Sequence, residues 1–155
     1  MGRRYSASFR NVAVTAAQDI FSLVVASNEP IKILAAYLSQ NTEAGDSEEE
    51  FLELQWVRGN GTVGSGGSAL DERPLDSKEG AASASARAND TTAASAGTEQ
   101  IMHVEAWNIR VPWIYLPTPE TQIRVDNDDD IIALRLMAAP SDSITMCGTI
   151  YWEEG

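Results

Sequence analysis

The stretch TQIRVDNDDDIIALRLMAAPSDSITMCGTIYW, Thr121 to Trp152, decides the fold. Ile123 and Val125, then Ile132, Leu134 and Leu136, and again Ile144, Met146, Gly148, Ile150 and Trp152 put every second side chain on one face. That is the period of a strand with one buried side. Between the last two runs lies Ala138-Ala139-Pro140-Ser141-Asp142-Ser143, where Pro fixes φ and Ser and Asp bond locally to the backbone. The segment predicts a chain reversal that joins the two runs as a β-hairpin.

Working outward, the same period recurs. Tyr5, Ala7 and Phe9 alternate, and so do Val12 and Val14, with a phase change between Phe9 and Val12 of the kind a bulge makes. Ile20–Ala26 and Ile31–Ser39 are separated by Ser27-Asn28-Glu29-Pro30. In the second run Ile31, Ile33, Ala35 and Tyr37 share one face and Leu34, Ala36 and Leu38 the other, which predicts a central strand. Phe51–Arg58 sets Leu52, Leu54 and Trp56 against Glu53 and Gln55, then ends in Gly59-Asn60-Gly61. Glu99–Arg110 alternates again.

Residues 59–98 break this pattern, being rich in Gly, Ser, Ala and Thr without a run of large apolar side chains. Such a stretch cannot bury enough area to offset about 1–2 kcal/mol of backbone entropy per residue unless it packs on something else. It reads as a long surface excursion within one domain, with a short edge strand near Ser83–Ala88 and a neighbouring subunit as one source of order. Seven to nine strands without a helical period predict an all-β, two-sheet β-sandwich, with jelly-roll topology ahead of an immunoglobulin-like one. The latter's Cys, Trp and Cys spacing is absent.

The chain has 155 residues, a length at which a single domain buries about 68–70% of its unfolded surface. Its one cysteine, Cys147, has no partner for an intrachain disulfide and reads as a small hydrophobe. No apolar run spans a bilayer and no signal-peptide pattern opens the chain, so neither membrane insertion nor signal-directed secretion is expected. A net charge of −12 repels phosphate and argues against nucleic-acid binding. Three of the eleven basic residues, Arg3, Arg4 and Arg10, fall in the first ten positions. Residues 1–10 therefore carry two readings. One is an outward arm, with the arginines facing acids and Tyr5 and Phe9 filling apolar sites on a partner; the other is an ordinary first strand of the sandwich.

Candidate chemistry is sparse. His103 is the only histidine, so any Ser-His-Asp or Cys-His pair must use it, yet it alternates in phase with Ile101 and Trp107 and no G-x-S-x-G motif accompanies it. The pattern favours packing over catalysis. One His and one Cys cannot make a closed zinc site. Asp126-Asn127-Asp128-Asp129-Asp130 is the best calcium candidate, but it lacks the Gly and Glu positions of an EF-hand and reads as a solvated turn, as does the acidic run around Glu48–Glu50. No metal and no cofactor are expected. Trp56, Trp107 and Trp152 sit in phase with strand neighbours and read as core. Trp113 and Tyr115 lie between Pro112 and Pro117, where central pairing is forbidden, and either form a partner surface or pack on their own sandwich.

Three pieces carry a resemblance: Arg4-Tyr5-Ser6-Ala7-Ser8-Phe9 with Val12-Ala13-Val14, then Trp113-Ile114-Tyr115-Leu116-Pro117-Thr118-Pro119-Glu120, and the closing Gly148-Thr149-Ile150-Tyr151-Trp152-Glu153-Glu154. Together they resemble small virion proteins encoded among the structural genes of tailed bacteriophages. The resemblance implies a jelly-roll capsid decoration, or cement, protein on the major capsid protein, or another head or tail subunit, located in the virion after synthesis in the host cytoplasm. The expected assembly is a homo-oligomer, a trimer by preference, held in part by the excursion. A carbohydrate-binding or host-adsorption module is the alternative, for which an exposed Trp113 and Tyr115 platform would be the mark. A hydrolase is a third, which a buried His103 would eliminate.

Overall fold

The computed structural model describes residues 2–41, 49–126 and 130–155. Among these residues twelve strands run in the order β1 (Arg3–Val14), β2 (Gln18–Val24), β3 (Ile31–Gln40), β4 (Phe51–Asn60), β5 (Ser68–Ala69), β6 (Arg73–Pro74), β7 (Ser85–Asp90), β8 (Gln100–Asn108), β9 (Trp113–Tyr115), β10 (Arg124–Val125), β11 (Ile131–Leu136) and β12 (Ile144–Glu154). A single 3₁₀ turn, Pro119–Thr121, lies between β9 and β10. No helix among the described residues is long and apolar enough to cross a membrane.

The strands form two antiparallel six-stranded sheets, one ordered β10-β3-β12-β1-β6 with β9 also on β3, the other β5-β7-β2-β11-β4-β8. Pairs nest from the outside in: β1 with β12, β2 with β11, β3 with β9, β4 with β8. A long hairpin of four such pairs, rolled so that β12 also bonds β3 and β11 also bonds β4, is a jelly roll.

Topology corrects the expected hairpin at Ala138–Ser143. β11 and β12 flank that segment but do not pair, because they belong to opposite sheets. The connection crosses the roughly 10 Å between packed sheets, with Pro140 buried and the Ser141 N–H donating to the Glu50 carboxylate at 3.0 Å. Alternation fixes which face of each strand is buried, and both arrangements satisfy it equally.

The core lies between the sheets, with Tyr5, Trp56, Phe21 and Trp152 among its largest fully buried side chains. The expected irregularity in β1 is present: the register with β12 shifts between Phe9 and Val12, and Asn11 there takes φ 54°. Phe9 lies opposite Gly148, where a Cβ would stand 2.6 Å from the Phe9 ring. β3 differs from its reading. Its register with β12 skips Leu34, so the buried face passes from Ile31 and Ile33 to Ala36 and Leu38, and Tyr37 is exposed, edge-on to Tyr151.

Residues 59–98 are more ordered than their composition suggests, and they pack on their own chain. β7 extends one sheet beyond β2 and β5 extends it further, while β6 extends the other sheet beyond β1. Buried carboxylates hold this excursion. Glu154, 1% exposed, accepts the Ser83 and Ala84 N–H groups at 3.0 and 2.9 Å, the Trp152 Nε1–H at 3.2 Å and Arg3 Nη2 at 3.3 Å. Asp19, equally buried, accepts the Ala94 N–H and Arg135 Nε, both at 2.8 Å, and Arg135 Nη2 closes the ring on the Ala94 carbonyl. Tyr5 donates its hydroxyl to the Gly80 carbonyl at 3.1 Å, and burial keeps that phenol above its usual pKa. A small-residue segment thus exchanges backbone donors with fixed charges, which are among the stronger hydrogen-bonding partners. The expectation of a trimer drew on this excursion needing a neighbour, and that motive falls away.

Candidate functional site

Within the stretch 1–10, Arg3 to Arg10 form strand and not an arm. Most of the stretch belongs to β1, which has β12 on one side and β6 on the other. Tyr5 and Phe9 point into the core, Tyr5 stacked on Trp152 and Phe9 tilted 5.2 Å from Phe21. Arg3 bonds Glu154, Arg4 bonds Glu153 at 3.2 Å, and Arg10 is exposed. Arg3 and Arg4 are matched by the acids of β12 opposite them, and burial leaves Tyr5 and Phe9 unable to reach a partner.

Trp113 and Tyr115 need the same correction. β9 alternates, so Trp113 and Tyr115 are buried and stack on each other, while Ile114 is 57% and Leu116 68% exposed. An exposed aromatic platform, the mark of the carbohydrate-binding alternative, is not formed by this pair. The surface of this segment is aliphatic.

His103 is not buried. It faces β9 from β8 with its side chain 40% exposed, its ring 5.2 Å from Tyr115 and Nε2 3.1 Å from Glu105 Oε2. Glu105 Oε2 also accepts the Trp113 Nε1–H at 3.1 Å. Burial first, and the Glu105 charge second, hold the Tyr115 phenol above its usual pKa. Among the described residues the hydrogen-bond partner of His103 is Glu105. The pair positions β8 against β9 across the sandwich edge. Cys147 lies half-buried in β12 with its Sγ 3.9 Å from Asn11 Oδ1. Residues 127–129 of the calcium candidate and 42–48 of the acidic run lie outside the described residues, and no group of three or more possible metal ligands occurs among the described ones.

What these elements bring together is one open edge. Among the described residues β8 has β4 on one side and no strand on the other, and β9 is likewise bonded only to β3. Of the eleven large apolar side chains exposed among the described residues, six lie from Ile101 to Leu116. Three of them, Met102, Ile114 and Leu116, line a groove of about 510 Å³ together with His103, Glu105 and Ile123. A free nine-residue edge with exposed aliphatics and neither Lys nor Pro is a template for pairing with another chain. The apolar run of residues 111–116 was the sequence signal. Which half of it faces out required the phase of β9.

Fold and edge together describe a jelly-roll sandwich with one open aliphatic edge. No protein-family model matches the chain, and no curated protein does. Among solved structures it is similar to a mutant VP2 protein of infectious bursal disease virus in T=1 particles, with 8% identity and a TM-score of 0.25. That match covers 97% of this chain and 40% of the other. The T13 particle of the same virus gives 10% and 0.23, covering 97% and 39%. The chain thus spans about 40% of the viral-particle chains it matches. Scores this low do not define a shared fold, and the jelly roll stands on the chain's own strand pairing.

Proposed function

We propose that this protein is a non-enzymatic structural subunit of a virion, a capsid decoration protein of a tailed bacteriophage that seats on the outer head surface against the major capsid protein. The observation that carries the reading is the open aliphatic edge at β8 and β9 on a sandwich whose other edge is sealed by its own insertion. The segment Trp113–Glu120, one of the three that resemble phage virion proteins, supplies the exposed Ile114 and Leu116 of that edge. The excess of negative charge keeps such a subunit soluble until it docks.

Heads assembled without the chain provide the test. Added wild-type protein should co-sediment with them to saturation, and an Ile114→Asp/Leu116→Asp double variant should stay in the supernatant while melting as the wild type does. Absence of the chain from purified particles, or binding indifferent to the double variant, overturns the proposal.

A further inference from the structure

Backbone direction on β8 can be derived. The Ile109 N–H donates to the Glu50 carbonyl at 3.2 Å, and β8 runs antiparallel to β4 with Asn108 opposite Phe51 and Glu105 opposite Leu54. Antiparallel partners alternate between hydrogen-bonded and non-bonded pairs. Counting from Ile109, residues Trp107, Glu105 and His103 bond β4, so Val104 and Ala106 turn their N–H and C=O groups to the free edge, while the Asn108 carbonyl is already taken by the Val111 N–H at 3.0 Å. The other side of β4 agrees: Glu53, between two β8-bonded residues, gives its carbonyl to the Met137 N–H. The ladder is regular from Asn108 to His103 and bulges at Met102, where the register shifts.

We propose that this edge is filled by β8 of a second copy, antiparallel, on a two-fold axis through Val104. The proposal rests on reading the edge as an assembly surface; it assigns the backbone of β8 to a second copy and leaves the Ile114 and Leu116 side chains of the β9 segment to the particle. Two requirements select the register. Outward-facing backbone groups must meet, which demands that even-numbered residues oppose even-numbered ones. Among the registers that do so, centring on Val104 sets His103 of each copy opposite Glu105 of the other. Centring on Glu105 would oppose two carboxylates, and centring on Ala106 would oppose Glu105 to Trp107.

The carboxylate has capacity for this contact. Glu105 Oε2 already accepts from His103 and Trp113, and its side chain is 45% exposed. On the outer face Val104 meets Val104 at the axis. The strand is also where two copies, each of charge −12, can approach, because Glu105 is the only acid between Gln100 and Asn108. A closed two-fold pairing consumes the edge on both copies and leaves no free end to propagate.

Sedimentation velocity of the purified full chain tests this. Wild type should associate to a dimer. Val104→Pro should be monomeric with unchanged melting, because the N–H it removes bonds nothing within the chain and Pro is tolerated at such edge positions. His103→Glu should weaken association by about tenfold or more, since it sets like charges opposite each other twice. His103→Glu/Glu105→His restores the complement and should restore the dimer. In a Cys147→Ser background, Val104→Cys should cross-link on oxidation and Ala106→Cys should not, as only position 104 meets itself.

A wild-type monomer at every concentration, or a dimer indifferent to both Val104→Pro and His103→Glu, overturns the pairing. So does a monomer whose binding to heads is lost in Val104→Pro, which would give the edge to a particle subunit and leave the proposed function standing. A dimer of this register that binds no particle sinks the proposed function alone.

Discussion

The two edges of the sandwich meet the same problem in opposite ways. At the β1 and β2 edge, the excursion adds β6 to one sheet and β5 with β7 to the other, and buried carboxylates fix it there. At the β8 and β9 edge nothing is added, and aliphatic side chains face solvent. A chain able to cover one edge with small residues and internal charges has left the other bare. The contrast separates two placements of polar and apolar groups: on the sealed edge charges are buried and hold the excursion, and on the open edge aliphatic side chains face solvent, which is where the proposed function places association.

The largest expected effect breaks the sealed edge. Glu154→Ala strands the Ser83 and Ala84 N–H groups and the Trp152 indole, and deprives Arg3 of its buried partner. Removing one member of such a buried charged network costs about 3–5 kcal/mol. Urea unfolding should show a loss of this size, and a loss under about 1 kcal/mol would mean the carboxylate does not hold the excursion.

Trp113→Ala comes next, at about 3 kcal/mol. The residue is at the open edge but buried, stacked on Tyr115 and bonded to Glu105. If thermal unfolding of this variant matches the wild type, β9 is not clamped to β8.

Much of this was legible before any coordinates, and the failures have physical causes. Alternation gave the strands and the two-sheet class, because one buried face per strand is what a sandwich requires. It misplaced the half of β3 beyond Leu34, since one skipped residue inverts every later side chain. It could not decide the phase of Trp113 to Leu116, where both faces are apolar. Glu154 carries a signal in the sequence: it continues the buried series Ile150, Trp152 by one further step. An acid in phase with a core face, near a segment with no apolar side chains to offer, is a candidate clamp. Asp19, directly before Ile20 and Phe21, is the same case.

A smaller effect should appear with acid. Hydrogen bonding from Lys32 and Arg4 outweighs burial and holds the Glu153 carboxyl below its usual pKa. At Glu99 burial pushes upward, and bonds from Arg135 and Asn60 override it, so this carboxyl also sits low. A carboxyl lowered in the folded state contributes stability that is fully present above its unfolded pKa and is lost as pH falls through its folded one. Melting temperature should therefore decline from about pH 4.5 downward. Glu153→Gln, which cannot titrate, should start lower at neutral pH and decline less. An identical pH slope in the variant would show that Glu153 carries none of the acid sensitivity.

The smallest effect sharpens the comparison most. Ile114 sits between Trp113 and Tyr115 on a three-residue strand, yet its side chain is 57% exposed while both neighbours are buried. Replacing it by Ser removes apolar surface that is already mostly in water, so the fold should lose no more than about 0.5 kcal/mol. The backbone is unaffected, because β9 bonds β3 through main-chain groups that Ser retains. Association should nonetheless suffer, since a hydroxyl placed where another subunit seats must be desolvated without a prepared partner. Calorimetry of Ile114→Ser beside its head-binding isotherm separates the two roles. Unchanged melting with weakened binding assigns the open edge to assembly, whereas a large drop in melting temperature would place Ile114 in the core and turn β9 over.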